Sequence, residues 1–365
     1  MRDSFEHHEY YSPRAYEIKV IEWSESKENR IPILLQDKNG PCPLIALVNT
    51  LVLRNAAIKN RTCGSPKEND HLVEELEAIL VNYQRSQGCI ETEVLLASLE
   101  SIILVKVSFS EISTPGQENV ETLLKNVRKL HQGLPVNPNV LEGTFPSNDI
   151  STKIFEIFGL SLRHGWCFSE EDETIKKDMK DEDIVVLAKL LRKYTLFDDI
   201  QEHMVKEPHE EHQVGLRSVS NDVQTGREVL RKWFQYNKTQ LTGYGIKMLN
   251  SIKDGDFVVF FRNNHFNTLY KKGKDEFYLL VTDSSFNKDN DYLKEIVWQS
   301  LISVSGGEDL FFNGEFFPVF IDQEIIQGDE GDYFISRQLQ EQEDAEAARR
   351  YQHIYEKESQ NLDEL

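Results

Sequence analysis

The residues able to do chemistry lie in two segments far apart in the chain. The first runs Gln36-Asp37-Lys38-Asn39-Gly40-Pro41-Cys42-Pro43. Asn-Gly is a strong turn signal, and Leu44, Leu47, Val48 and Leu51 then recur at helical spacing. Cys42 therefore stands at the start of a helix, with Pro43 in its first turn, where the missing N–H costs little. A helix start offers unpaired N–H groups and partial positive charge. Both favour the thiolate, the nucleophilic form of cysteine. Gln36, six residues earlier, is placed to aim its amide N–H at an oxyanion. In the second segment, the apolar run Phe257 to Phe261 meets a polar Asn263-Asn264 turn and then His265. A histidine there is oddly placed for packing. With Cys42 as nucleophile and His265 as general base, the chemistry expected is that of a cysteine hydrolase. Cys63, Cys89 and Cys167 have no such setting and are expected to be inert.

The elements that must position these groups follow from periodicity. Tyr16, Ile18 and Val20 alternate with charged residues, predicting a strand that continues toward Trp23. Residues 31–35 form a short apolar run. Helices are expected over 68–83, 91–106, 118–131 and 181–197, with a loop over 133–138. A polar stretch from Asp198 to Gly226 reads as a surface insertion or the end of a helical hairpin, and 227–252 as mainly helix. From Phe257 the period becomes that of strands. Three of them, separated by short turns, predict an antiparallel meander. The last forty residues hold eleven acidic and four basic side chains, which reads as an exposed helical tail.

With 365 residues, 39% hydrophobic and 28% charged, the chain is globular. A net charge of −21 repels nucleic acid and anionic membranes, so neither is expected as a partner. The four cysteines form no C-x-x-C pair, and neither a metal nor a cofactor is expected. The N-terminus lacks the apolar stretch of a signal peptide. The expected location is the cytoplasm, with the nucleus as a second compartment, where thiols stay reduced.

Several segments together resemble the MINDY family of deubiquitinases. They are Leu35 to Leu44 around the cysteine, Lys129-Leu130-His131-Gln132-Gly133-Leu134-Pro135-Val136-Asn137, and Leu162-Arg163-His164-Gly165-Trp166. Gln240-Leu241-Thr242 with Gly245, Phe260-Phe261-Arg262-Asn263-Asn264-His265-Phe266, Val281-Thr282-Asp283 and Trp298-Gln299-Ser300-Leu301 follow in order. The resemblance implies an α+β, papain-like thiol fold: a helical subdomain plus an antiparallel sheet, with the nucleophile at a helix N-terminus. It divides the chain into a flexible arm (1–15), a catalytic domain (16–325) and an acidic tail (326–365) that starts like the family's ubiquitin-interacting helix. It implies hydrolysis of isopeptide bonds in polyubiquitin chains on ubiquitinated proteins, with preference for the proteasome-targeting linkage. Cys42 is then the nucleophile, His265 the base and Gln36 the oxyanion donor. Asn267, two residues past His265, is the expected orienter of the imidazole, where the family often has a small hydroxyl residue. Asp283 competes for that role. Trp166, Asn137 and Phe261 are expected to contact ubiquitin. A weakly active or inactive polyubiquitin reader of the same fold is the rival reading, and a glutaminase-like acyl-transfer enzyme a more distant one. The presence of Gln36, Cys42 and His265 together favours the enzyme.

Overall fold

In a computed structural model, residues 13–25, 30–37, 42–61, 70–109, 117–205, 217–287 and 291–320 are described. The Asn39-Gly40-Pro41 turn, Cys63 and the acidic tail from 326 lie outside them. The chain divides into two units, Met1–Pro318 and Val319–Leu365. The helices and sheets that carry the site belong to the first.

The long apolar helix α1 (Cys42–Arg61) is the axis of the core. Apolar residues lie on nearly all its sides because it is covered on nearly all its sides. Strands β1 (Ala15–Glu22), β2 (Arg30–Leu34) and β3 (Cys89–Glu91) form a sheet of order β2-β1-β3. Pro13, in the expected flexible arm, is buried, and its carbonyl accepts from the Thr92 hydroxyl, so the packed chain begins before Ala15. Helices α2 (Asp70–Ser86), α3 (Thr92–Phe109) and α4 (Gln117–Val127) come next, close to their predicted spans. Short elements then appear that periodicity did not reveal: α5 (Ile150–Ile157), β4 (Leu162–His164) and α6 (Glu173–Asp178).

A helical lobe is built from α7 (Asp181–Lys193), α8 (Phe197–Val205) and α9 (Arg217–Tyr236). Its core holds Ile184, Leu187, Leu191, Leu230, Trp166 and Trp233. The stretch expected as a surface insertion or the end of a helical hairpin contains α8 and the first turns of α9, in line with the second reading. The expected helix over 227–252 breaks after Tyr236 and resumes only as α10 (Gly243–Met248).

The second sheet contains β4, β5 (Asp256–Arg262), β6 (His265–Gly273), β7 (Glu276–Leu280), β8 (Trp298–Ser300) and β9 (Phe311–Phe312), in that order. The short helix α11 (Asp291–Lys294) precedes β8. Apart from the parallel β4–β5 pair, neighbours are antiparallel, and β5-β6-β7 is the predicted meander. β5 reads as an unbroken apolar run because both its faces are covered. Phe257, Val259 and Phe261 join the core around α1, while Val258 and Phe260 pack with Leu241, Leu249 and Leu301.

Candidate active site

Three pieces of chain converge on the start of α1. Cys42 is the first residue of that helix and is buried. Opposite it, β5 turns into β6 through Asn263 (φ 51°) and Asn264 (φ 58°), a two-residue hairpin of the primed kind that asparagine tolerates. His265 opens β6, half-buried and in register with Arg262. β6 pairs with β7 only from Leu269 onward, so its first residues keep one edge outside that ladder. Cys42 meets this edge: the Phe266 backbone N–H, next to His265, donates to Cys42 Sγ at 3.1 Å. A nucleophile candidate and a base candidate from opposite ends of the chain are thereby brought within one residue of direct contact.

Side chains alternate along a strand, so His265 and Asn267 share a face of β6, opposite Phe266 and Thr268. Asn267, the expected orienter, is half-buried on that shared face. The Asp283 carboxylate instead accepts the Ser285 N–H at 2.8 Å, closing its own turn. Gln36 lies two residues beyond β2. Its N–H donates to the Thr282 carbonyl (2.6 Å), and its carbonyl accepts from the Ser284 N–H (2.9 Å). Its backbone is thus held against the segment after β7.

Two neighbouring polar residues of α1 hold this arrangement, and their role was not read from the sequence. Asn49 is fully buried: it accepts the Leu34 N–H at 2.7 Å and donates to the Leu34 carbonyl at 3.0 Å. It pins the end of β2, and so Gln36, to the helix that carries Cys42. Next to it, the buried Thr50 hydroxyl meets the Thr268 hydroxyl at 2.9 Å, pinning β6 to the same helix. A polar pair inside an apolar helical stripe was the signal available.

Of the three expected ubiquitin contacts, two are buried. Trp166 is 3% exposed, its ring stacked on Trp233 (5.4 Å, 7°) and flanked by Phe197 and Phe234. Its position in the lobe core follows from the aromatic residues that α8 and α9 bring to it. Phe261 is also buried, edge-on to Phe145 and Phe266. Asn137 is half-buried, and its carbonyl oxygen accepts the Asp198 N–H in the first turn of α8 (3.0 Å). Trp166 and Phe261 are corrections: each side chain is buried and supports the fold around the site. Burial pushes the Cys167 thiol up to about 12, as befits an inert core residue. Among the described residues, no group of three or more His, Cys, Asp and Glu side chains could hold a metal ion.

A thiol at a helix start beside a histidine-bearing strand is the equipment of a thiol-dependent hydrolase, and comparison with known proteins gives the class its name. A family profile described as MINDY deubiquitinase matches residues 14–316. The chain belongs to the MINDY deubiquitinase family. Among its relatives, the ubiquitin carboxyl-terminal hydrolase MIY1 of Saccharomyces cerevisiae is 30% identical over 333 residues, covering 85% of this chain and 80% of that protein. Human ubiquitin carboxyl-terminal hydrolase MINDY-1 is 26% identical over 298 residues, 80% of this chain and 52% of its own length. Human MINDY-2 is 26% identical over 342 residues, 91% of this chain and 46% of its own length. The chain thus spans about half the length of these two human relatives.

Proposed function

We propose that this chain is a cysteine-type deubiquitinase that hydrolyses isopeptide bonds in polyubiquitin, with Cys42 as nucleophile. The observation that carries this reading is the 3.1 Å bond from the Phe266 N–H to Cys42 Sγ, which seats the thiol against the residue after His265. Family membership supplies the substrate class. The Cys42 thiolate attacks the carbonyl of the C-terminal glycine of ubiquitin, and the oxyanion is held by the Gln36 amide and the Cys42 N–H. As the C–N bond breaks, His265 gives its proton to the departing lysine amine. His265 then takes a proton from water, the hydroxide adds to the thioester, and the thiolate leaves. Asn267 steadies the imidazole through this cycle. Preference for the proteasome-targeting linkage is supported by the motif resemblance, and action in the cytoplasm by the need for a reduced thiol. The one helix among the described residues that is long and apolar enough to cross a membrane, Cys42–Asn60, is 83% buried. It is a core helix in this reading.

The test is cleavage of a panel of long ubiquitin chains of every linkage by the wild type and by Cys42→Ala. Cleavage of one linkage, lost in the variant while chains are still retained, supports the proposal. Cleavage at the wild-type rate by Cys42→Ala removes the mechanism. Retention without cleavage by the wild type favours a polyubiquitin reader.

A further inference from the structure

Immediately before the histidine strand, the hairpin turn is gripped from the helical lobe side. Gln240 follows α9 by four residues and precedes α10. Its side-chain amide makes two bonds to one residue: Oε1 accepts the Asn264 N–H at 3.0 Å, and Nε2 donates to Asn264 Oδ1 at 3.2 Å. Asn264 is the residue before His265. On the other arm of the hairpin, the buried Arg262 donates from Nε to the Thr239 carbonyl (3.2 Å) and from Nη2 to the Val304 carbonyl (2.9 Å). Consecutive residues, Thr239 and Gln240, therefore hold both sides of the turn that carries the base.

The grip has a firm footing. Gln240 itself has a φ of 48°, a costly conformation for a residue with a long side chain. Its own N–H donates to the Asn237 carbonyl at 3.0 Å. One residue on, Leu241 forms a parallel bridge with Gly165, and the Thr242 hydroxyl donates to the Cys167 carbonyl at 2.6 Å. A Cβ on Gly245 would stand 1.7 Å from the Gly165 carbonyl oxygen, so the two backbones are in direct contact. The segment Gln240–Gly245 is thus anchored at its far end, while its leading side chain reaches out to the turn.

We propose that Gln240 is a positioning residue for His265: its paired bonds to Asn264 fix the turn, and so the place of the imidazole relative to Cys42. The proposal rests on the assignment of Cys42 as nucleophile and His265 as base. An imidazole displaced by about an ångström loses up to about a hundredfold in rate.

Two variants separate positioning from folding. Gln240→Ala removes both bonds. Asn264→Gly keeps the N–H and makes the turn Asn-Gly, the sequence this hairpin type prefers, while removing only the Oδ1 acceptor. Kinetics of polyubiquitin cleavage are measured for both variants and for the double variant. Alkylation of Cys42 by iodoacetamide is followed across pH by mass spectrometry of its peptide.

Gln240→Ala is expected to lower kcat about tenfold or more, with KM within about twofold. Asn264→Gly is expected to lower kcat less, and the double variant to be no worse than Gln240→Ala. The acidic limb of Cys42 alkylation, which an imidazolium beside the thiolate creates, should move to higher pH in the same order. Unchanged kcat and alkylation profile in Gln240→Ala overturn the proposal, as do losses that simply add in the double variant. If Gln240→Ala does not fold, Asn264→Gly decides: unchanged turnover and profile overturn the proposal. A wild-type alkylation profile indifferent to His265→Ala would show instead that the Cys42–His265 reading itself fails, and the proposal with it.

Discussion

Helix α1 carries two buried asparagines that make a controlled comparison. Asn49 is fully buried and bonds both the N–H and the carbonyl of Leu34, itself fully buried. Asn55 is 4% exposed, and neither its Oδ1 nor its Nδ2 has a hydrogen-bond partner among the described residues. Replace each in turn with leucine, which is close to asparagine in reach. Leucine gains apolar burial on the same helix in both cases, so that contribution largely cancels between the variants. What remains is the cost of the partners left behind. Asn49→Leu strands two buried backbone groups at about 1–3 kcal/mol each, so about 2–6 kcal/mol in all. Asn55→Leu strands nothing among the described residues and removes two desolvated amide atoms that receive no return. The two variants should therefore differ by at least about 2 kcal/mol, with Asn55→Leu neutral or stabilising. Urea unfolding followed by tryptophan fluorescence reads the difference from the midpoints. Because Gln36 lies two residues beyond Leu34, Asn49→Leu should also lose deubiquitinase turnover under conditions where it remains folded. Equal destabilisation by the two substitutions would refute the assignment of Asn49 as the pin between β2 and α1.

Burial lowers the pKa of His164 to about 4. In the neutral ring, Nδ1 accepts the Trp166 N–H at 3.1 Å, while Nε2 lies 3.1 Å from the Thr144 carbonyl as its donor. The folded pKa lies below the unfolded one, so this stability is present above pH 6.5 and is lost as pH falls toward 4. The slope approaches about 1.4 kcal/mol per pH unit. Unfolding free energies from pH 7 to 4.5 should be flatter for His164→Gln than for the wild type. Trp166→Ala should cost about 3–5 kcal/mol through the emptied aromatic stack. Trp166→Phe should leave KM for polyubiquitin within about twofold of wild type; a large rise in KM at unchanged stability would restore Trp166 as a substrate contact.

The sequence by itself determined the long elements and singled out the candidates for the reactive groups. α1 was legible because leucines and valines recur at helical spacing behind Pro43, and the β5-β6-β7 meander because apolar runs alternate with turn residues. Cys42 and His265 stood out because each occupies a place where an ordinary core residue does not belong. The segments over 150–178 stayed hidden because each is too short to show a period. The stretch holding α8 and the start of α9 left insertion and helical hairpin both open because it is mostly polar and charged. Only the tertiary structure decided which groups meet and which are buried in the core. Trp166 and Phe261 became core residues because other helices and strands supply the aromatic faces around them. Asn49 and Gln240 became candidate positioners because a side-chain amide takes its meaning from the backbone it meets. Those meetings join residues 34 and 49, and 240 and 264, which are far apart in the chain. No local pattern encodes such a contact, since it exists only once the core has fixed the distance.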